Sequence, residues 1–271
     1  MESRIAEALR VKFPPIVTVL SDEAPEGTME FKEGRWGCVM WLIASAFKGR
    51  PAVATEATFG CLGGGTGLGF GNQYENWPGG IECFYRFLSD GNDGWEHGRQ
   101  VAERVRGTMR PESFDHFLHG EGYTKDAATT KGFVESLPIT RIDRRYVVFK
   151  PLSQVDPAVE RPETVHFLVD PDRLSALVVL ASYAGPGNEN VIIPQAAGCQ
   201  SMGIIAMREA RSERPRAVVG LVDISARNFM TRQFGHDQMT VSVPFGMFER
   251  LETDAPGSFL AKSQWRDLLE P

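Results

Sequence analysis

The sequence predicts an α/β or α+β protein in which a mixed sheet is flanked by helices. Short apolar runs typical of strands alternate along the chain with segments whose apolar residues recur at a helical period. In addition, residues 1–150 and 151–271 share one order of parts: an apolar strand, an apolar helix, a glycine break, a second strand and a Gly-Cys pair. We therefore predict two diverged, related halves that are arranged around a pseudo-dyad within one compact unit.

The first half begins with an amphipathic helix over residues 2–12, which Pro14 and Pro15 stop. Residues 37–47 are apolar on nearly all sides, so they are predicted to form a buried helix. The other elements predicted in this half are strands over 16–20, 51–55 and 146–149, and helices over 81–88, 96–107, 110–117 and 126–137. Thr124 is the predicted N-cap of the last of these helices.

The second half follows a proline-bearing linker over residues 151–162. Its apolar and alternating runs predict strands over 165–169, 190–194, 217–222 and 238–243. Its helical patterns predict helices over 173–184, 200–210, 245–251 and 265–269. Residues 223–227 follow the end of the third of these strands.

Residues 60–71 form the most unusual stretch, because seven of these twelve residues are glycine. The glycine spacing matches neither the Gly-x-x-x-x-Gly-Lys-Ser/Thr phosphate loop nor the dinucleotide-binding fingerprint. The stretch is therefore interpreted as a close-packed turn that carries the thiol of Cys61, although a purely structural turn is an equal alternative. Gly198 and Cys199 repeat Gly60 and Cys61, and we expect the two thiols to face each other near the pseudo-axis.

Composition limits the class of protein. The formal net charge of −6 gives no general attraction to nucleic acid or to acidic lipid. The longest apolar runs are about half of the ~20 residues that a membrane-spanning helix needs, and the N-terminal residues do not resemble a signal peptide. We therefore expect a cytoplasmic protein whose four cysteines are reduced thiols or metal ligands.

Several segments of the chain carry a resemblance to a known family, namely residues 38–42, 59–71, 78–84, 121–123, 186–194, 197–201 and 223–227. On these segments the chain resembles the uncharacterised domain-of-unknown-function family 169 over nearly its whole length. The resemblance implies no established activity. Many members of that family resemble one another in a Gly-Cys-x-x-Cys-Arg segment, where this chain has residues 222–227 with Asp223 and Ala226 in the cysteine positions. A metal cluster bound by that cysteine pair is therefore not expected here in the same form.

The first functional hypothesis is a small anionic ligand in a cleft between the halves, since backbone amides and arginine favour carboxylate or phosphate groups. The alternative for Arg227 is a salt bridge to Asp223. The residues predicted to line this cleft are Gly63, Gly64, Gly65, Gly67, Asn72, Tyr74, Gln195, Asp223 and Arg227.

The second hypothesis is a metal site, because four thiolates suit zinc or an iron–sulfur cluster. Its predicted ligands are Cys38, Cys61, Cys83 and Cys199. Their spacing matches no known metal motif, and cysteine is also a common buried apolar residue, which is the favoured interpretation of Cys38 and Cys83.

Two further hypotheses remain open. Cys61 or Cys199 could act as a catalytic thiol, although no histidine is near either of them in the sequence. Alternatively, aromatic residues within 31–36 and 74–77 could form the interface of a homodimer.

Overall fold

The computed structural model describes residues 1–270. A mixed sheet flanked by helices confirms the predicted fold class. The chain divides into two compact units, which we call the sheet unit (residues 1–70 and the chain from residue 140 onward) and the helical unit (residues 71–139). These units differ from the predicted halves, 1–150 and 151–271, which remain a prediction about descent.

The sheet unit contains seven strands, and each lies within a residue or a few of its predicted position. They are β1 (Ile16–Ser21), β2 (Ala52–Ala54), β3 (Tyr146–Pro151), β4 (Thr164–Val169), β5 (Val191–Ile192), β6 (Ala217–Gly220) and β7 (Met239–Pro244). Their order across the sheet is β2-β3-β1-β4-β7-β6-β5. Neighbouring strands are antiparallel except for β5 and β6, which are parallel.

Helices cover both faces of this sheet. Alternate residues of β1 point to opposite sides, so that Val17 and Val19 join one apolar cluster while Ile16 joins another. The first face is covered by α1 (Arg4–Leu9), α8 (Pro171–Ala181), α12 (Phe245–Asp254) and α13 (Ser263–Leu269). The second face is covered by α2 (Met40–Phe47), α9 (Gly198–Met202) and α11 (Ile224–Phe234), and α3 (Leu62–Gly67) packs on α9.

The predicted duplication is not confirmed by this arrangement. The predicted duplication pairs helix α2 with helix α8. These two helices follow β1 and β4, which are adjacent and antiparallel. A two-fold axis between antiparallel neighbours would place the two following helices on the same face of the sheet. In the structure α2 and α8 belong to the clusters on opposite faces.

The predicted helix over 200–210 is interrupted at Gly203, which separates α9 from α10 (Ile204–Ala210). The backbone of Gly203 lies against the carbonyl of Gly67, and a side chain at residue 203 would overlap it. Helix α11 (Ile224–Phe234) was not predicted, since its apolar residues are few and do not form a clear helical pattern.

The helical unit consists of α4 (Ile81–Leu88), α5 (Glu96–Val105), α6 (Pro111–His119) and α7 (Ala127–Ser136), as predicted from residues 81–137. The predicted N-cap of α7 was wrong, because the carboxylate of Asp126 accepts the N–H of Thr129 at 2.8 Å. The hydroxyl of Thr124 instead hydrogen-bonds that of Thr130. Throughout residues 1–270, the helices are too short or too polar to cross a membrane.

Candidate functional site

The glycine-rich stretch folds as helix α3, and the prediction of a turn was wrong. Cys61 is its N-cap residue, and the Cys61 Sγ accepts the N–H of Gly64 at 3.2 Å. The N–H of Gly65 bonds the carbonyl of Cys61, and that of Leu68 bonds the carbonyl of Gly64, both at 2.9 Å. These amides are therefore used within the helix and are not free to bind the anionic ligand of the first hypothesis.

Close packing explains why a helix is built from residues with poor helix propensity. A Cβ on Gly67 would lie 2.8 Å from the Cys199 Sγ and 2.9 Å from the Cys199 carbonyl carbon. A Cβ on Gly64 would overlap the side chain of Val39. Glycine at these positions lets α3 approach both α9 and the start of α2 more closely than any other residue would.

The two Gly-Cys pairs lie side by side in the sheet unit. The Cys199 Sγ donates to the carbonyl of Gly63 at 3.3 Å, across 136 positions of the chain. Cys199 is buried and Cys61 is half-buried. The structure therefore brings together the thiols of Cys61 and Cys199, which the repeated Gly-Cys pair in the sequence indicated.

Cys38 and Asp223 complete a group that we call the cysteine–aspartate cluster (Cys38, Cys61, Cys199 and Asp223). Burial, together with the nearby charges of Cys61 and Asp223, raises the pKa of Cys38 to about 12. Burial likewise places the pKa of Cys199 well above its ordinary value, with added contributions from Cys61, Cys38 and Asp223. These mutual effects show that the four side chains share one environment.

Four helices begin at this cluster. Cys61 caps α3, Asp223 caps α11, Cys199 lies in the first turn of α9, and Cys38 precedes α2 by two residues. Helix N-termini carry unpaired N–H groups and a partial positive charge, so they stabilise negative charge beside them. Backbone N–H groups of Val39, Gly63 and Gly64 accordingly lower the pKa of Cys61, although burial raises it more.

Asp223 has one occupied and one unoccupied carboxylate oxygen. Its Oδ1 accepts the N–H of Ala226 at 2.6 Å, which caps α11. Its Oδ2 is buried and has no hydrogen-bond partner among the described residues. Burial raises the pKa of Asp223 against the opposing effect of the N–H groups of Ala226 and Gly198.

The other residues predicted for the ligand cleft are placed differently. Arg227 donates to the carbonyls of His236 at 2.7 Å and Gln238 at 3.2 Å, so it fastens the segment before β7 to α11. The alternative salt bridge between Arg227 and Asp223 is not found among residues 1–270. Gln195 is exposed in the connection between β5 and α9.

Asn72, Tyr74 and Cys83 belong to the helical unit. The ring of Tyr74 stacks on that of Phe84 with centroids 3.9 Å apart, and the Asn72 amide donates to Glu75 at 3.1 Å. Cys83 is fully buried in an apolar cluster with Val101 and Phe117. Its surroundings are those of a core residue.

No three His, Cys, Asp or Glu side chains within residues 1–270 are arranged so that they could hold a metal ion together. Cys199 and Cys61 each have a backbone hydrogen-bond partner of their own, Gly63 and Gly64 respectively. The cysteine–aspartate cluster is thus a loose group of donors and not a closed site for one ion.

A buried polar layer, which the sequence patterns did not predict, lies on the same sheet face. The His166 Nε2 lies 2.7 Å from the hydroxyl of Thr18 and 3.0 Å from that of Thr164, and its Nδ1 lies 2.8 Å from that of Ser242. Complete burial lowers the pKa of His166 to about 3, so the ring is neutral. The feature of the sequence that indicates this layer is a pair of polar residues, Thr164 and His166, at alternate positions of an otherwise apolar strand.

No curated protein and no solved structure matches the chain significantly. The model of one family, DUF169, described as uncharacterised ArCR, matches residues 4–254. This match covers nearly the whole chain and includes every residue of the cysteine–aspartate cluster. The chain therefore belongs to the domain-of-unknown-function family 169.

Proposed function

We propose that the protein holds an iron–sulfur cluster at the cysteine–aspartate cluster, with Cys38, Cys61 and Cys199 as thiolate ligands. The observation that carries this proposal is the convergence of three of the four cysteines from distant positions in the sequence: the Cys199 Sγ donates to the carbonyl of Gly63 in the helix that Cys61 caps, and Cys38 lies near enough to both thiols to interact with their charges. A single buried cysteine is commonly an apolar core residue, but three that share one environment with a carboxylate need another explanation.

The chemistry of the thiols supports a metal centre over a catalytic thiol. A nucleophilic cysteine needs a lowered pKa from a neighbouring cation or base. Within the described chain, Asp223 forms no salt bridge and none of the three thiols hydrogen-bonds a histidine. Metal binding would stabilise the deprotonated thiolate without a neighbouring cation or base, since a thiol that coordinates a metal loses its proton.

The spacing of the group weighs against a single bound ion. One zinc ion requires its ligands about 2.3 Å from a single point. An iron–sulfur cluster is a cage whose ligands are attached to different iron atoms, so they stand farther apart. The thiols around this site are neither paired in a disulfide nor gathered around one point.

The helix starts support the same assignment. Thiolates and sulfides make the centre electron-rich, and hydrogen bonds to sulfur tune such clusters. The N–H of Gly64 already points at the Cys61 Sγ, and a backbone N–H at Met40 lies beside Cys38. A small anionic ligand at this place is the second candidate, because the same helix N-termini would attract it.

A reducing compartment such as the cytoplasm suits free thiols and an iron–sulfur cluster. With a net charge of −6, nucleic acid is not the proposed partner. Self-association is a further proposal for the surface beside the cluster, where Trp36 is 63% and Trp41 is 44% exposed.

The test is iron and acid-labile sulfide analysis, with a visible spectrum, on protein purified and reconstituted without oxygen. We expect both elements in stoichiometric amounts, and their loss in Cys38→Ala, Cys61→Ala and Cys199→Ala. Cys83→Ala is the matched control, because this thiol lies in the core of the helical unit and should not affect loading. Absence of iron and sulfide, or equal loading of all four variants, would contradict the proposal.

A further inference from the structure

We propose that a groove of the sheet unit, between residues 55–57 and residues 141–145, binds the phosphate group of a small organic phosphate. The groove has a volume of about 480 Å³, which is within the range of small-molecule sites. It shares no residue with the cysteine–aspartate cluster, so this proposal is independent of a metal centre there. The residues that line it are Thr55, Glu56, Ala57, Phe70, Arg141, Ile142, Asp143, Arg144 and Arg145.

The groove is locally positive on an acidic protein. Three arginines and two acidic residues line it, whereas the whole chain has a formal net charge of −6. Guanidinium groups bind phosphate through paired N–H donors in a planar fork. The charge balance of the groove therefore favours an anionic ligand.

Arg145 is the arginine that is most available to a ligand. Its guanidinium carbon lies 5.0 Å from the centroid of the Tyr146 ring, and it forms no ion pair among residues 1–270. Arg141 is paired with Glu56 at 2.6 Å, but both side chains are more than half exposed. Exposed ion pairs contribute little to stability, so a phosphate dianion can displace Glu56 from Arg141 at small cost.

The walls of the groove are held in place by contacts within the protein. The hydroxyls of Thr55 and Thr58 bond each other at 2.8 Å, which closes the turn on one side. On the other side the Asp22 carboxylate accepts the backbone N–H of Arg145 at 3.1 Å and the guanidinium of Arg144 at 2.8 Å. A preformed groove loses less conformational entropy when a ligand binds.

Apolar residues beside the arginines select the organic part of the ligand. Ala57, Phe70 and Ile142 line the same groove. The ring of Phe70 stacks on that of Phe59 with centroids 6.2 Å apart, which fixes its position. Inorganic phosphate would leave this apolar surface uncovered, whereas a hydrocarbon group attached to the phosphate would remove part of it from water.

The experiment titrates phenyl phosphate and, separately, inorganic phosphate into the full chain and measures binding by isothermal titration calorimetry. Arg145→Met and Glu56→Gln change the groove. Arg106→Met and Glu103→Gln are the matched controls, because they change the net charge equally in an exposed arginine–glutamate pair of the helical unit, 3.7 Å apart.

We expect phenyl phosphate to bind more tightly than inorganic phosphate. Arg145→Met should weaken its binding about tenfold, because charge-assisted hydrogen bonds to the phosphate are lost. Glu56→Gln should tighten its binding, because the change frees Arg141 and removes a like charge. Neither control should change the affinity.

Three results would overturn the proposal: phenyl phosphate does not bind the wild type, Arg145→Met weakens binding no more than Arg106→Met, or Glu56→Gln tightens it no more than Glu103→Gln. Equal affinity for phenyl phosphate and inorganic phosphate would overturn the assignment of an organic phosphate.

Discussion

Gly67 shows how a single missing side chain shapes the site. It lies where α3 meets Cys199, and its lack of a Cβ leaves room for the Cys199 Sγ and backbone. The sequence indicated that residues 60–71 need close approach, but it could not indicate the element against which they pack. Cys199 is 132 positions away from Gly67, and only the fold brings them together.

Gly67→Ala should therefore destabilise the protein by about 2 kcal/mol, because the added methyl group overpacks a site bounded by backbone. Gly132→Ala is the control, since Gly132 lies in α7 with open space around it and alanine favours a helix by up to about 1 kcal/mol. Urea unfolding of both variants measures the two changes. Equal stability of Gly67→Ala and wild type would show that α3 and α9 are not tightly packed.

Individual site residues were predictable to different degrees. Cys61 and Cys199 stood out because each follows a glycine in a similar context, and both lie in the cysteine–aspartate cluster. Cys38 was favoured as a core residue, and it does pack against the apolar cluster of α2 while lying near Cys61 and Asp223. Arg227 looked like an anion-binding residue, but its guanidinium is occupied by carbonyl groups, which no sequence pattern reveals.

At the scale of elements, strands were predicted better than helix boundaries. A buried strand needs little more than a short apolar run with a turn at each end, and the strands other than the half-buried β5 satisfy this condition. Helix α3 was mistaken for a turn because its glycines have poor helix propensity, and tertiary packing overrides that preference. Helix α11 was missed because its apolar residues are few and its aromatic contact, between Phe229 and Trp41, joins residues far apart in the chain.

Arg227 should stabilise the connection between α11 and β7. Arg227→Met removes the bonds to the carbonyls of His236 and Gln238 while keeping an apolar stem, and we expect a loss of about 2 kcal/mol. Arg232→Met, at an exposed position of the same helix, should change stability little. Urea unfolding compares the two, and equal effects would show that the carbonyl contacts of Arg227 do not matter.

At the scale of the whole molecule, the seven-stranded sheet has a layer of apolar contacts on each face and a polar group beneath the second layer. The sequence indicated which residues form strands, but strand order depends on pairs such as β1 with β4, which are far apart in the chain. The neutral ring of His166 is part of this buried layer, and it makes the stability of the whole sheet sensitive to acid.

Burial lowers the pKa of His166 from its ordinary 6.5 to about 3. Between these values the unfolded chain binds a proton that the folded chain does not, so acid favours unfolding. The contribution of His166 is fully present above about pH 6.5 and is lost as the pH falls, by at most about 1.4 kcal/mol per pH unit. His166→Gln should therefore show a shallower decline of the urea midpoint between about pH 6.5 and pH 4. Identical slopes in the two proteins would mean that another group governs acid unfolding.

The most direct measurement for the central claim is X-ray absorption at the iron edge of anaerobically reconstituted protein. The proposed cluster predicts a shell of sulfur neighbours around each iron and a distinct iron–iron distance, both lost in Cys61→Ala and both retained in Cys83→Ala. Iron surrounded by oxygen or nitrogen alone, without a neighbouring iron, would contradict the cluster. Attention would then turn to a small anion held by the same four helix starts.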